Sequence, residues 1–155
     1  MQKYKLRYFE LLSKKLGLYK KLDDDKGLIN ELLTALQNDK LDYTNFFYTL
    51  STIKYNEISK LGSHIKLWLD SYKKRVLLEE ISEEDRFELM RKTNPKYVLK
   101  NYMLQEAIDK AVKNDFSLVD TLLKIAQNPH AEHKEYEHYS NASNPHAIHK
   151  CGCSS

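Results

Sequence analysis

An all-α fold is predicted for this chain of 155 residues by three features of its sequence. Glycine and proline, which interrupt regular structure, number only 4 and 3. Apolar residues return at spacings of three and four, the period of an amphipathic helix, along most of residues 1–129. Residues that cap helices stand ahead of several of these stretches. The sequence therefore predicts a multi-helix domain that is long enough to bury a core of its own.

The first predicted helix covers residues 2–16 and combines an apolar stripe with a basic outer face. Gly17 stands where this helix should end, because glycine adopts the left-handed conformation that closes many helices. The basic face could contact anionic lipid or RNA, or it could remain solvated. We interpret the segment as a core-packing helix with a solvated basic face. Its stripe consists of Tyr4, Tyr8, Leu11 and Leu12, widened by Leu6, Phe9 and Leu16.

Aspartate residues introduce the next two helices. The three aspartates at 23–25 lack the alternating spacing of a calcium loop, so we interpret them as a cap for a helix predicted over residues 28–37. Asp42 is the predicted N-cap of the third helix. A weaker stretch over residues 52–61 predicts one or two further helical turns, which Gly62 ends.

Serine residues introduce the following two helices. Ser63 is the predicted cap of a helix that carries Trp68 on its apolar face. His64, alone near the start of that helix, fits a surface or hydrogen-bonded histidine better than a metal ligand or a base. Ser82 is the predicted cap of a helix with acidic residues in its first turn and basic residues in its last, as the helix dipole favours.

Residues 91–129 predict a pair of consecutive helices. Pro95 suits the first turn of a helix, where its missing N–H is not needed. Ser117 is the predicted N-cap of the second helix, and Asp120 stands at the capping-box position. The predicted apolar faces hold Tyr97, Val98, Tyr102, Met103, Ala107, Ile108 and Ala111 in the first helix and Leu118, Val119, Leu122, Leu123 and Ile125 in the second.

The composition changes after Pro129, so the sequence divides into a helical region at 1–129 and a tail at 130–155. The tail has few apolar residues and no helical period, and we expect it to be extended or disordered, or draped across the surface of a partner. It carries the potential metal ligands His130, His133, His138, His146, His149, Cys151 and Cys153. The two His-x-x-His pairs could each supply two donors. The Cys-x-Cys spacing matches no standard zinc finger, so specific and adventitious metal binding both stay open.

Cys151 and Cys153 also suggest redox sensing. A terminal thiol meets oxidants readily, and the neighbouring Lys150 favours its thiolate form. The alternative is a pair of inert thiols in a reducing cytosol. Because both cysteines lie in the last five residues, they cannot staple the helical region.

Charge and motifs exclude several function classes. A net charge of +3 is too small to indicate a nucleic-acid interface. No apolar run approaches the roughly 20 residues that span a membrane, and residues 1–12 lack the apolar core of a secretory signal, so we expect a cytoplasmic protein. The sequence contains no glycine-rich phosphate loop, nucleophile elbow, kinase catalytic loop or HExxH motif. It therefore predicts a helical module rather than a self-sufficient catalyst.

Several motifs resemble the carboxy-terminal region of the selenoprotein O family, also written SelO or YdiU, and the resemblance spans essentially the whole chain. They are the Asn-Pro-Lys-Tyr of residues 94–97, the Asn-Tyr of 101–102, the Asn-Asp-Phe-Ser of 114–117, the Lys-Leu-Gly-Leu of 15–18, the Asp-Tyr-Thr of 42–44 and the Cys-Ser-Ser of 153–155. The tail departs from the family, because it is rich in histidine and carries Cys151 as an extra thiol.

The resemblance implies a kinase-like fold that transfers AMP from ATP to protein hydroxyls with Mg²⁺ or Mn²⁺. The catalytic and nucleotide-binding residues of the family would lie upstream, so none is assigned to this chain. Cys153 matches the terminal family cysteine associated with redox control, and its disulfide partner would also lie upstream. The implied partners are protein substrates and an upstream kinase-like segment, with no nucleic acid and no membrane.

Two other functions stay open. The chain could be a stand-alone helical module that binds a protein through its aromatic faces, or its tail could hold a metal ion. If the helices normally pack on an absent lobe, the isolated chain should expose an apolar patch and tend to self-associate.

Overall fold

A computed structural model describes residues 2–140, apart from the side chains of Gln2 and Lys5. These residues form eight α-helices and one 3-10 helix and contain no β-strand, which confirms the all-α prediction. None of their helices is long and apolar enough to cross a membrane. The α-helices are α1 (Gln2–Lys15), α2 (Asp25–Asn38), α3 (Tyr43–Leu50), α4 (Tyr55–Ile58), α5 (Ser63–Val76), α6 (Glu83–Thr93), α7 (Asn101–Ala111) and α8 (Ser117–Gln127), and the 3-10 helix is Lys134–Tyr139.

The chain divides into two compact units, Met1–Asn94 and Pro95–Ser155. This division differs from the one at residue 129 that the sequence predicts. The composition of the chain changes after residue 129, whereas the boundary between the two packed units falls at Pro95. The first unit contains α1 to α6, and the second contains α7, α8 and the 3-10 helix.

The core of the first unit lies where α2 packs on α5 and where α1 packs on α2 and α6. Aromatic rings fill its centre: Trp68 stacks on Tyr72 with ring centroids 4.8 Å apart, and Phe46 meets Trp68 edge to face. The indole nitrogen of Trp68 donates a hydrogen bond to the Leu28 carbonyl, so its polar group is satisfied inside the core. The other fully buried side chains include Leu12, Leu16, Ile29, Leu32, Phe47, Leu50, Ile58, Ile65, Leu69 and Met90.

Two of the predicted caps are confirmed and a third is supplied by another residue. Asp42 accepts a hydrogen bond from Asn45 N at 2.8 Å, and Ser82 accepts one from Asp85 N at 3.1 Å. Ser63 does not cap α5; the N-cap position is Gly62. The capping acceptor comes from the end of α2, where the Asp39 carboxylate accepts from Ile65 N at 2.9 Å and from His64 N at 3.4 Å. A long-range contact has replaced the local one.

His64 is a hydrogen-bonded surface histidine, as predicted. Its Nδ1 lies 2.7 Å from Asp39 Oδ1, and its side chain is half-exposed. The same carboxylate caps α5, so the imidazole completes a capping arrangement rather than standing free as a base.

The prediction that the first helix of the carboxy-terminal pair starts at Asn94-Pro95 is wrong. Asn94 closes α6, and its side-chain amide donates to the Lys15 carbonyl at 2.8 Å. Residues 95–100 are not helical, and α7 begins only at Asn101. Tertiary contacts hold this segment in its non-helical form: Tyr97 N donates to the Pro129 carbonyl at 3.0 Å, and the Lys96 ammonium group binds Glu132 and Glu137.

The start of α8 also differs by one residue from the prediction. Phe116 occupies the N-cap position and Ser117 is the first helical residue. Asp115 performs the capping role, because its Oδ1 accepts from Ser117 N at 3.0 Å. Asp120 lies in the first turn, and the α8 N-cap makes no side-chain capping bond.

The segment after Pro129 is ordered up to residue 140, contrary to the prediction of an extended or disordered tail. Lys134–Tyr139 forms the 3-10 helix, and Tyr139 is buried against the helices of the second unit. Composition could not reveal this, because two tyrosines in a polar segment supply the packing. Residues 141–155 lie outside the described residues, so the prediction for that part of the tail stays open.

Gly17 ends α1 as predicted, with a φ of +68°. A Cβ at this position would lie 2.7 Å from Met90 Sδ and 2.9 Å from Arg86 Cγ. Gly17→Ala should therefore combine left-handed strain with overpacking and lower the free energy of unfolding by roughly 2–4 kcal/mol. Chemical denaturation of the purified chain measures this loss.

Gly27→Ala is the matched control. Gly27 lies inside α2, and a Cβ there would meet nothing within 4 Å. Alanine at this position should raise the stability by about 0.5–1 kcal/mol through helix propensity. Equal effects of the two substitutions would contradict the account of Gly17.

Candidate functional site

Arg86 is the largest fully buried side chain of the first unit, and its hydrogen-bond partners are neutral. Its guanidinium donates to Tyr55 Oη at 2.6 Å and to Tyr72 Oη at 3.0 Å, and it lies 4.7 Å from the Phe87 ring centroid. Burial raises the pKa of both tyrosines, so both hydroxyls stay neutral. The Tyr72 hydroxyl itself donates a hydrogen bond to the Leu16 carbonyl at 2.7 Å. The network ties α4, α5 and α6 to the end of α1.

Arg75 forms a second buried network with two carboxylates. Its guanidinium contacts Asp25 and donates to Glu79 Oε1 at 2.8 Å. The other Glu79 oxygen accepts from Tyr19 N at 3.0 Å and Lys20 N at 3.1 Å, so it holds the connection between α1 and α2. Asp25 was predicted only as a cap. Its carboxylate is instead committed to this ion pair and to the backbone N–H of Leu22.

Lys96 organises the charged contacts of the second unit. Its ammonium group, with a side chain only 7% exposed, donates to Glu132 at 2.6 Å and to Glu137 at 2.8 Å. The Tyr97 hydroxyl lies 3.2 Å from the His133 carbonyl and 3.3 Å from Glu137 Oε2. We call residues 130–140 the strap, because these bonds fasten them to the non-helical segment 95–100 that precedes α7.

Tyr139 anchors the far end of the strap. Its hydroxyl donates to Glu106 on α7 at 3.2 Å, while its ring is buried with the core of the second unit. Burial, reinforced by the Glu106 carboxylate, raises the pKa of Tyr139 to about 12. The hydroxyl therefore remains a hydrogen-bond donor at neutral pH.

The predicted metal ligands are divided between described and undescribed residues. His146, His149, Cys151 and Cys153 lie outside the described residues, so the thiol and metal predictions that rest on them stay open. Within residues 2–140, no group of three or more His, Cys, Asp or Glu residues could hold a metal ion.

Two of the three described tail histidines, His133 and His138, contact aromatic rings. The His133 ring nitrogen Nε2 lies 2.9 Å from the Asn128 carbonyl, and its ring meets Tyr97 edge to face. The His138 ring lies against Tyr139, with ring centroids 4.0 Å apart.

A groove of about 400 Å³ lies along α1 and the connection to α2. Two of the four lysines that line it are paired with acidic residues: Lys21 contacts Glu10 at 2.8 Å, and Lys20 contacts Glu80 at 2.6 Å. Mixed charges of this kind favour neither an anionic nor a cationic ligand. The charges that line the groove therefore do not point to a class of ligand, despite its volume.

The second unit exposes a row of large apolar side chains, which we call the hairpin face. They lie on α7, on α8 and on the five-residue connection between the helices, and they are 43% to 80% exposed. The sequence assigned Ile108, Val119 and Leu123 to the apolar faces of the helices without separating buried from exposed positions. The hairpin face consists of Leu104, Ile108, Val112, Phe116, Val119 and Leu123.

Residues 1–127 match the profile of the family described as Protein adenylyltransferase SelO. The chain belongs to the SelO family. A relative from Vibrio atlanticus, named Protein nucleotidyltransferase YdiU, is 42% identical over 138 residues, which cover 84% of this chain and 28% of the relative. A relative of the same name from Flavobacterium johnsoniae is 36% identical over 173 residues, with 99% of this chain and 33% of the relative covered. The chain therefore spans less than two fifths of the length of these SelO relatives.

The strap should loosen in acid, because hydrogen bonding by Lys96 holds the pKa of Glu137 below its usual value of 4.5. Because the pKa of Glu137 is lower in the folded state than in the unfolded chain, its bond to Lys96 contributes fully to the stability of the strap above pH 4.5. This contribution is lost as the pH falls through the lowered pKa. The Tyr139 ring signals in an NMR titration should report the release. Lys96→Met should move the transition to higher pH.

Lys92→Met is the control for this titration. It removes an exposed ion pair of similar length with Glu88, in the first unit. It should leave the Tyr139 transition unchanged, and an unchanged transition in Lys96→Met would contradict the role given to Lys96.

Proposed function

We propose that this chain is the carboxy-terminal helical region of a SelO-type protein adenylyltransferase and that the chemistry of AMP transfer lies outside it. Two findings carry the proposal. Residues 1–127 match the family, and the chain covers only 28% to 33% of the length of its relatives. The chain would contribute packing surface to the larger protein rather than catalytic groups.

The chemistry of the buried charged residues supports this role. Catalytic acids and bases need access to a substrate and a proton to exchange. The buried cations instead donate their hydrogen bonds to groups of the same unit. The acceptors of Arg86, Arg75 and Lys96 are tyrosine hydroxyls, carboxylates and a backbone carbonyl. The Asp25 and Glu79 carboxylates are held in the same way by backbone N–H groups. Such arrangements fit a scaffold.

The activity of the whole protein forms part of the proposal. In a complete SelO protein, AMP would pass from ATP to hydroxyl groups of protein substrates, with Mg²⁺ or Mn²⁺ held by the kinase-like segment. Cys153 would carry redox control, with Cys151 as an additional thiol close by. A cytoplasmic location belongs to the same proposal.

A stand-alone interaction module is the second candidate function, and the hairpin face is the observation that favours it. An exposed apolar face of this kind also suits a partner protein that is unrelated to SelO. The two functions differ in what they require: the adenylyltransferase function needs the rest of a SelO protein, whereas the module does not.

A chimera tests the proposed function. This chain would replace the matching third of the Flavobacterium johnsoniae relative, and transfer of labelled AMP to an acceptor protein would be measured with ATP and Mg²⁺ or Mn²⁺. We expect the chimera to label the acceptor and the chain alone to label nothing. The matched control is the relative with that third deleted, which should also be inactive.

Two results would contradict the proposal. AMP transfer by the purified chain would show that it is not catalytically incomplete. A folded chimera without activity, beside an active unmodified relative, would show that the chain cannot serve as the helical region of such an enzyme.

A further inference from the structure

The two sides of the α7–α8 pair are covered differently. Met103 and Ala107 of α7 are buried against α8. The residue before Ala107 is Glu106, which binds the strap through Tyr139 at 3.2 Å. The residues after Met103 and Ala107 are Leu104 and Ile108, which are 44% and 54% exposed. The strap therefore covers one flank of α7 and leaves the other bare.

The second helix repeats this arrangement. Leu118 and Leu122 are buried, and the residues that follow them, Val119 and Leu123, are 43% and 54% exposed. The five-residue connection makes α7 and α8 an antiparallel hairpin. In an antiparallel pair, positions one residue after the buried ones lie on the same side of both helices. The two exposed rows therefore form one surface.

The connection between the helices extends this surface. Val112 is 80% exposed and Phe116 is 58% exposed. Contiguous apolar patches of more than a few hundred Å² are rare on monomeric proteins and usually mark interaction sites. Phenylalanine in particular contributes a large area to protein interfaces.

The charges around the hairpin face favour a protein partner. The neighbouring exposed residues include Asp109 on α7, Lys113 in the connection, and Asp120 and Lys124 on α8. The rim thus carries charges of both signs. Anionic lipid and nucleic acid would select a rim rich in lysine and arginine, whereas protein interfaces have a mixed polar rim around an apolar centre.

We propose that the hairpin face is buried against the part of the SelO polypeptide that lies outside this chain. This inference rests on the proposed function and names the surface through which the chain would contact the rest of the SelO protein. The relatives contain about twice as many residues outside the matched region as within it, since the match covers 28% to 33% of their length. The family match includes all of the hairpin face but ends at residue 127, before the strap that covers the opposite flank.

Thiol accessibility tests the inference. In a chain with Cys151→Ser and Cys153→Ser, Ile108→Cys places a thiol on the hairpin face, and its rate of maleimide labelling is measured in the chain alone and in the Flavobacterium johnsoniae chimera. We expect labelling to be at least tenfold slower in the chimera. Leu67→Cys is the control, because Leu67 is 72% exposed on α5, and its labelling rate should not change.

Three outcomes would overturn the inference. The first is an unchanged rate at position 108 in the chimera. The second is equal protection at positions 108 and 67, which would mean that the burial does not belong to this face. The third is protection in the chain alone that grows with its concentration, which would identify a second copy as the occupant.

The test separates this inference from the proposed function. A chimera that transfers AMP but labels quickly at position 108 keeps the function and refutes the docking face. A chimera protected at position 108 but inactive keeps the docking face and refutes the function. If the chimera does not fold, the same labelling is carried out on the chain co-expressed with the remaining part of the relative, and the same rates decide.

Discussion

The first unit depends on a buried guanidinium. Arg86 is 1% exposed, and a charge in that position must have all of its strong hydrogen-bond partners nearby. Tyr55 and Tyr72 provide them, and Tyr72 in turn binds the carbonyl at the end of α1. A glycine is required at position 17 because Arg86 and Met90 occupy the space that a Cβ would fill and because the turn has a positive φ of +68°. The turn that ends α1 and the packing of Arg86 and Met90 in the core therefore depend on each other.

The second unit uses a different solution to the same problem. Two helices alone bury too little surface to be stable, so a third element must cover one flank. The strap does this with two tyrosines and the ion pairs of Lys96, while the hairpin face remains open. A unit that covers one flank with its own chain and leaves an apolar flank bare is suited to docking on a larger body.

Sequence patterns predicted the parts of the fold that local chemistry determines. The helical class, the caps at Asp42 and Ser82 and the stop at Gly17 follow from side chains acting on their own backbone. The start of α7 and the capping of α5 by Asp39 were missed, because contacts between distant residues override the local preference. The Asp25–Arg75 pair was missed for the same reason, since the two residues are far apart in sequence.

The hairpin face was only partly predictable from the sequence. Periodicity placed Ile108, Val119 and Leu123 on apolar faces, but it could not tell which apolar residues would be covered, because that depends on where the strap lies. The thiols at Cys151 and Cys153 were proposed from the sequence and lie outside the described residues. Motif resemblance located the family more directly than any single residue did, and the family match supports it.

We propose that the buried charged groups of residues 2–140 serve the fold of this chain and that nucleotide chemistry belongs to the rest of the SelO protein. Calorimetric titration of the purified chain with ATP and Mn²⁺ tests this claim most directly. The account predicts no saturable heat. Saturable binding of one ATP per chain would contradict it.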